Sequence, residues 1–258
     1  MLTMALYGIK DCANLSLFDL GTGAPALHTD YANVSTNEWS SERVYANSKG
    51  TRAIAWDYDR QSTLAVEMEV FDLKWIALVA GSELKQGEAN VAKREVVRVG
   101  ASKTATLKGA PLEGSVQVVR VGSDDIEHIG EPLDEVVGTE TAVSANQFKV
   151  SGSEITFATD AVEGESYAVY YLVLDSQAKT ITISADKFPK NFKIIADALI
   201  REKETGKDEF VQIEYVNAKP QSNFTITMSA TEPTNLAVTF DLFPNKDKEI
   251  AIYKVLGE

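Results

Sequence analysis

Two histidines, one cysteine and two short acidic clusters are the side chains whose types could do chemistry. His28 and His128 lie in loop-like sequence, and neither has a second histidine or a carboxylate at a metal-ligand spacing. Both read as surface histidines. Cys12 is followed by Ala13-Asn14-Leu15-Ser16, with no nucleophile-elbow or redox pattern, and reads as a small buried residue. Asp57-Tyr58-Asp59, and Asp124-Asp125 with Glu127, could gather a cation. A calcium loop needs more oxygen ligands at regular spacing and a closing Glu, which both clusters lack. No Gly-rich phosphate cradle is present. These readings predict no catalytic residues, no metal and no cofactor: a protein that is not an enzyme.

The bulk composition narrows the remaining classes. The 258 residues are 44% hydrophobic and 24% charged, an ordinary globular balance. A formal net charge of -13 and dispersed basic residues argue against tight binding to DNA or to an anionic membrane. A single cysteine excludes an internal disulfide. Met1–Lys10 lacks a secretory pattern, and no apolar run is long enough to span a bilayer as a helix. Synthesis in the cytoplasm is expected.

Period-two alternation dominates the chain. Leu64, Val66, Met68 and Val70 alternate with Ala65, Glu67 and Glu69, as in a strand with one wet face. Further strands are expected at Ser166–Leu174, Thr180–Ser184, Phe224–Ala230, Leu236–Phe243 and Glu249–Leu256. Phe192–Arg201 and Glu209–Val216 flank Glu204-Thr205-Gly206-Lys207 and read as a β-hairpin. One segment breaks the pattern. Phe71, Trp75, Leu78 and Val79 share a face at helical spacing, and Gly81 stops the helix. Trp75 reads as its core anchor.

Residues 100–175 differ from their surroundings. They hold four basic residues against thirteen carboxylates, with short strand patterns punctuated by glycines. That texture suits a small β-sandwich, the immunoglobulin-like form among them. The expected organisation is a discontinuous main domain, 1–98 and 176–258, with an inserted module at 99–175. Ser35–Gln61 forms a third region, mixing Trp39, Tyr45, Trp56 and Tyr58 with polar residues. Such a mixture suits a surface that is wet alone and buried with a partner, or an ordinary long hairpin folded on its own domain.

This order of elements resembles the major tail tube proteins of long-tailed bacteriophages. The resemblance is carried by the opening Leu6–Asp11, the long hairpin, one helix ending at Ala80-Gly81, and the paired strands closing through Thr225–Thr234. It covers about residues 1–98 and 176–258. It implies a tail-tube-type β-barrel or sandwich with one packed helix, carrying an inserted module. It also implies hexameric rings stacked into a tube, partner contacts with copies of itself and other tail proteins, and a place in the virion tail. DNA would pass through the lumen without tight binding. Carried onto this chain, it makes Trp39, Tyr45, Arg52, Trp56 and Arg60 candidates for the contact between rings. Glu67, Glu69, Asp197, Glu202, Glu209 and Glu214 become candidates to line the lumen, depending on strand register.

Two rival readings accompany this one. A capsid decoration or head-fibre protein would share the β content and acidity. A carbohydrate-binding or adhesin-like module would use exposed aromatics such as Trp39, Trp56 and Tyr58.

Overall fold

Strand accounts for 55% of the chain and helix for 3%, as the alternation predicts. The computed structural model describes residues 6–9, 12–138 and 144–256; Lys10 and Asp11 of the opening segment lie outside it. In chain order the first strands are β1 (Tyr7–Ile9), β2 (Asn14–Asp19), β3 (Pro25–Thr29), β4 (Val34–Ser48) and β5 (Thr51–Met68). The helix α1 (Leu73–Val79) follows. Next come β6 (Lys85–Arg98), β7 (Thr104–Thr106), β8 (Gln117–Arg120), β9 (Asp134–Glu135), β10 (Gln147–Ser151), β11 (Glu154–Phe157) and β12 (Ser166–Thr180). The series closes with β13 (Phe192–Glu202), β14 (Asp208–Pro220), β15 (Leu236–Leu242) and β16 (Ala251–Leu256). Contacts divide the chain into two units: one runs to Leu84 and resumes at Ile181, and the other is Lys85–Thr180.

The first unit is a nine-stranded sheet in the order β3-β2-β13-β14-β15-β5-β4, with β1 paired to β13 and β16 to β14. Alternation decides which face is dry. Phe192, Ile194, Ala196, Ala198 and Ile200 of β13 are buried, as are Leu236, Val238, Phe240 and Leu242 of β15 and Leu64, Val66 and Met68 of β5. Each large apolar side chain removed from water in this way stabilises the fold by about 1.5–3 kcal/mol. Val70, two residues beyond the strand, is exposed.

The helix covers this face. Asp72 caps it, accepting a hydrogen bond from the Lys74 backbone N–H at 2.9 Å. Trp75 is fully buried and meets Phe240 edge-on, with ring centroids 6.3 Å apart. At Gly81 the backbone turns with φ +65°, and a Cβ there would lie 2.3 Å from the Phe188 backbone carbonyl carbon. Only glycine satisfies both conditions. The hairpin expected around Gly206 is present, with β13 and β14 paired antiparallel from Phe192↔Ala218 to Arg201↔Asp208.

The second unit contains two sheets, β7-β11-β10-β9 and β6-β12-β8. They share a core that includes Val118, Phe148, Ile155, Phe157, Tyr167, Val169 and Tyr171. The chain comes into this unit along β6 and leaves along β12, and these strands pair from Lys85↔Thr180 to Arg98↔Ser166. The first and last residues of the unit are therefore cross-strand neighbours. Residues 99 and 175, where the sequence suggests module boundaries, lie within it. Strand pairing stops at Thr180, short of the strand expected over Thr180–Ser184. No strand forms over Phe224–Ala230.

Two outcomes test this architecture. Gly81→Ala should lower unfolding stability by ~2–3 kcal/mol, from left-handed strain plus the backbone clash, measured by denaturant titration. Replacing Lys85–Thr180 by a short Gly/Ser linker should leave the first unit folded, with an undiminished near-ultraviolet signal from Trp75. Global unfolding would show that the first unit depends on the second.

Candidate assembly surfaces

The β4–β5 ladder runs from Val34↔Glu67 to Ser48↔Thr51 and is built in two parts. At its base β15 pairs with Ser62–Met68 of β5, and Ser62, Leu64, Val66 and Met68 are buried. Beyond Ser62, β5 pairs among the described residues only with β4, and none of its residues from Thr51 to Gln61 is buried. This outer part is a two-stranded arm.

A bulge separates base from arm. Between the pairs Ser40↔Gln61 and Glu42↔Tyr58, β4 has one residue and β5 has two, Asp59 and Arg60. Asp59 takes φ 50° to accommodate the extra residue. One extra residue shifts the alternation of its strand, so the even-numbered side chains of β5 change face. In the base they point to the core. In the arm, Ile54, Trp56 and Tyr58 share a face with Val44 and Ala46, their pairs or diagonal neighbours across the ladder. Val44, Ile54, Trp56 and Tyr58 are 50–55% exposed.

The other face of the arm is polar. Arg43 forms a forked ion pair with Asp57, and that guanidinium holds the Asp57 carboxyl below its ordinary value. Arg52 lies 4.0 Å above the Tyr45 ring. A second irregularity, between Ala46↔Ile54 and Asn47↔Arg52, returns Arg52 to the side of Tyr45. Trp39 also belongs to this side, nearer the base. Its indole N–H donates to Asn37 Oδ1 at 2.8 Å, and Tyr253 Oη donates to the same oxygen at 3.3 Å.

The five residues singled out for contact are therefore distributed. Trp39, Tyr45 and Arg52 share one face, Trp56 lies on the opposite one, and Arg60 sits in the bulge. Val44 and Ile54 complete the apolar face with Trp56 and Tyr58, and the sequence reading missed them. Their signal was the alternation Ile54-x-Trp56-x-Tyr58 itself.

The acidic candidates also divide by face. Asp197 and Glu214 lie on the side of β13 and β14 away from the core, and Glu67 lies on the same side of β5. Glu202 and Glu209 have the parity of the core face, at the sheet end beside Tyr7, where partial burial and then these carboxylates raise the Tyr7 hydroxyl pKa. Glu69 falls beyond the end of β5. On the non-core face the charges are matched. Lys193 and Lys254 donate to the two oxygens of Glu214 at 2.5 and 2.7 Å, and Arg201 pairs with Asp208 at 2.5 Å. Asp197 accepts from Gln212 at 3.0 Å. Hydrogen bonds from both lysines hold Glu214 below the ordinary carboxylate value.

The other chemistry-bearing residues do not converge. His28 Nδ1 contacts Ser16 Oγ at 2.9 Å, and His128 Nε2 contacts Tyr170 Oη at 2.9 Å. These pairs belong to different units, and Cys12 is half-buried. No group of three metal-ligating side chains occurs among the described residues. No helix among them is long and apolar enough to cross a membrane.

A family model for the YomU/Tube protein family matches residues 7–255, nearly the whole chain and both units. The chain belongs to that family. It is thereby a phage tube-type structural protein, a component of the virion tail, and the coarse part of the resemblance to tail tube subunits stands. No curated protein matches it. In a member of this family, the long β4–β5 arm and the charge-matched sheet face are the surfaces to weigh for assembly.

Glu214 gives a pH test. Its folded pKa is lowered, so its contribution to stability is complete above the ordinary carboxylate value of about 4.3 and is lost as pH falls through the lower folded value. Glu214→Gln should therefore reduce stability at neutral pH and flatten the acid limb of the unfolding midpoint against pH. An unchanged acid limb would show that the two lysines contribute nothing measurable.

Proposed function

We propose that this protein is a non-catalytic tail tube subunit that forms hexameric rings, stacked into a tube whose channel passes DNA. The observation that carries the reading is the β4–β5 arm. Val44, Ile54, Trp56 and Tyr58 make an apolar strip on a two-stranded ribbon that pairs with no third strand among the described residues. An isolated ribbon of this kind is marginal in water. A neighbouring subunit in the next ring would cover the strip and order the arm.

The electrostatics support the same reading. The net charge of -13 disfavours adhesion of DNA, while the ion pairs of Glu214 and Asp208 leave the non-core face of β13 and β14 nearly neutral. On this reading that face lines the channel, and DNA meets a surface with little net attraction. The second unit, with seven strands divided four and three, is read as an inserted, immunoglobulin-like module displayed outside the tube.

Negative-stain microscopy and light scattering across a concentration series test the proposal, with hollow tubes of constant diameter expected. Discrete trimers would sink it in favour of a decoration protein. Within the tube reading, Trp56→Ala with Tyr58→Ala should weaken self-association at least tenfold while leaving the melting of the first unit unchanged, because both side chains lie outside its core. Deleting Arg60 should have a comparable effect, since removing the bulge residue turns Trp56 and Tyr58 to the opposite face.

A further inference from the structure

Between β14 and β15, the stretch Gln221–Thr231 reads Gln-Ser-Asn-Phe-Thr-Ile-Thr-Met-Ser-Ala-Thr: eleven residues without a charge, a proline or a glycine. Its middle has the composition and alternation of a strand. Phe224 and Ile226 pack against the core of the first unit, while Thr225 and Thr227 face solvent. The burial pattern of a half-buried strand is thus already in place. The ladder is missing. Among the described residues, no backbone N–H or C=O from Ser222 to Ala230 takes part in a strand pairing or in any other backbone hydrogen bond. Lys219-Pro220 and Glu232-Pro233 bracket the stretch, the residue types that confine an adhesive strand to its intended partner.

The same unit carries the complementary defect. β4, fifteen residues long, ends the path of the nine-stranded sheet and, among the described residues, pairs only with β5. Proteins guard a free edge with proline, with charges or bulges, or by shortening it. β3, at the other end of the path, is guarded in two of these ways: it has five residues and begins at Pro25. β4 is long and has neither Pro nor Gly. A heterologous contact between identical chains needs two different, mutually complementary surfaces on each copy. An unpaired strand-like segment and a long free strand edge without proline are such a pair.

From this we infer that residues 223–228 are the missing strand of an intersubunit sheet, which add to the free edge of β4 in a second copy of the chain. The inference rests on the tube reading and names the backbone pairing that joins one subunit to the next. Main-chain hydrogen bonds supply the attraction. Phe224 and Ile226 keep the segment at a fixed height over its own core, so ordering it costs less than ordering a free loop. The absence of charge over 221–231 removes repulsion against Glu38 and Glu42 of β4.

Hydrogen–deuterium exchange on the full chain, as free subunit and as assembled tube, is the test. The expected result is fast exchange of amides 223–228 in the subunit and slowing by about a hundredfold or more in the tube, with new protection in β4. A second arm uses Thr225→Pro with Thr227→Pro, which removes two backbone donors from a segment that donates none within the subunit. This variant should keep the subunit's melting temperature and lose tubes, while Thr225→Ala with Thr227→Ala should keep them. Tubes in which amides 223–228 still exchange at the free rate would overturn the strand pairing and leave the tube reading intact. A wild-type chain that stays monomeric at every concentration would overturn both.

Discussion

Backbone hydrogen bonding is the constraint on which this molecule turns. A strand has donors and acceptors along both edges, and each buried edge must find a partner or leave polar groups orphaned. Within the first unit the central strands satisfy this rule: β13 lies between β2 and β14, while β14 is met by β13 on one side and by β15 and β16 along successive parts of the other. The peripheral segments do not. The fifteen-residue edge of β4 and the unpaired backbone after Pro220 are polar surface that water solvates in the free chain. Assembly, on the reading given above, completes what the single chain begins.

The second constraint is the two-residue period of the strand. It makes one face of the nine-stranded sheet dry, and it lets a single inserted residue reverse a strand's sidedness. The first such reversal in β5 falls at Asp59–Arg60, just past Ser62, where the pairing with β15 ends and the core stops. Below that point β5 serves folding; above it, the same parity of residues carries Ile54, Trp56 and Tyr58 into solvent. Burial thus separates the two tasks along one strand without changing its direction.

Much of this was legible in the sequence, because the strongest signals are local. The helix was announced by Trp75 at helical spacing and by Gly81, whose positive φ and contact with Phe188 explain why the stop is a glycine. The β13–β14 hairpin was announced by alternation and by Gly206. Nonlocal features were hidden. β6 reads as a polar stretch because most of its residues from Lys85 to Arg94 are exposed on both faces, and only its pairing with β12 makes it a strand. Phe224–Ala230 has strand composition but no partner, and composition alone forms no ladder. The bulge was invisible because Asp59 in a left-handed conformation leaves no compositional mark. Without the bulge the aromatics of the arm were grouped as one patch, though Trp39 and Trp56 face opposite ways. The acidic residues depended on register: Asp197 and Glu202 are five positions apart on β13, and odd spacing alone puts them on opposite faces.

The pairing of Lys85 with Thr180 has a mechanical consequence. Tension that draws residues 84 and 181 apart acts at the open end of the β6–β12 ribbon, perpendicular to its strands. The rungs are then loaded one at a time, like a zipper, instead of together in shear. Each rung yields before the next is strained, so the ribbon from Lys85↔Thr180 to Asn90↔Leu174 would peel at low force while the core around Val169 and Tyr171 stayed closed. A force that separates residues 84 and 181 would thus open the ribbon before it disturbed the second unit's interior.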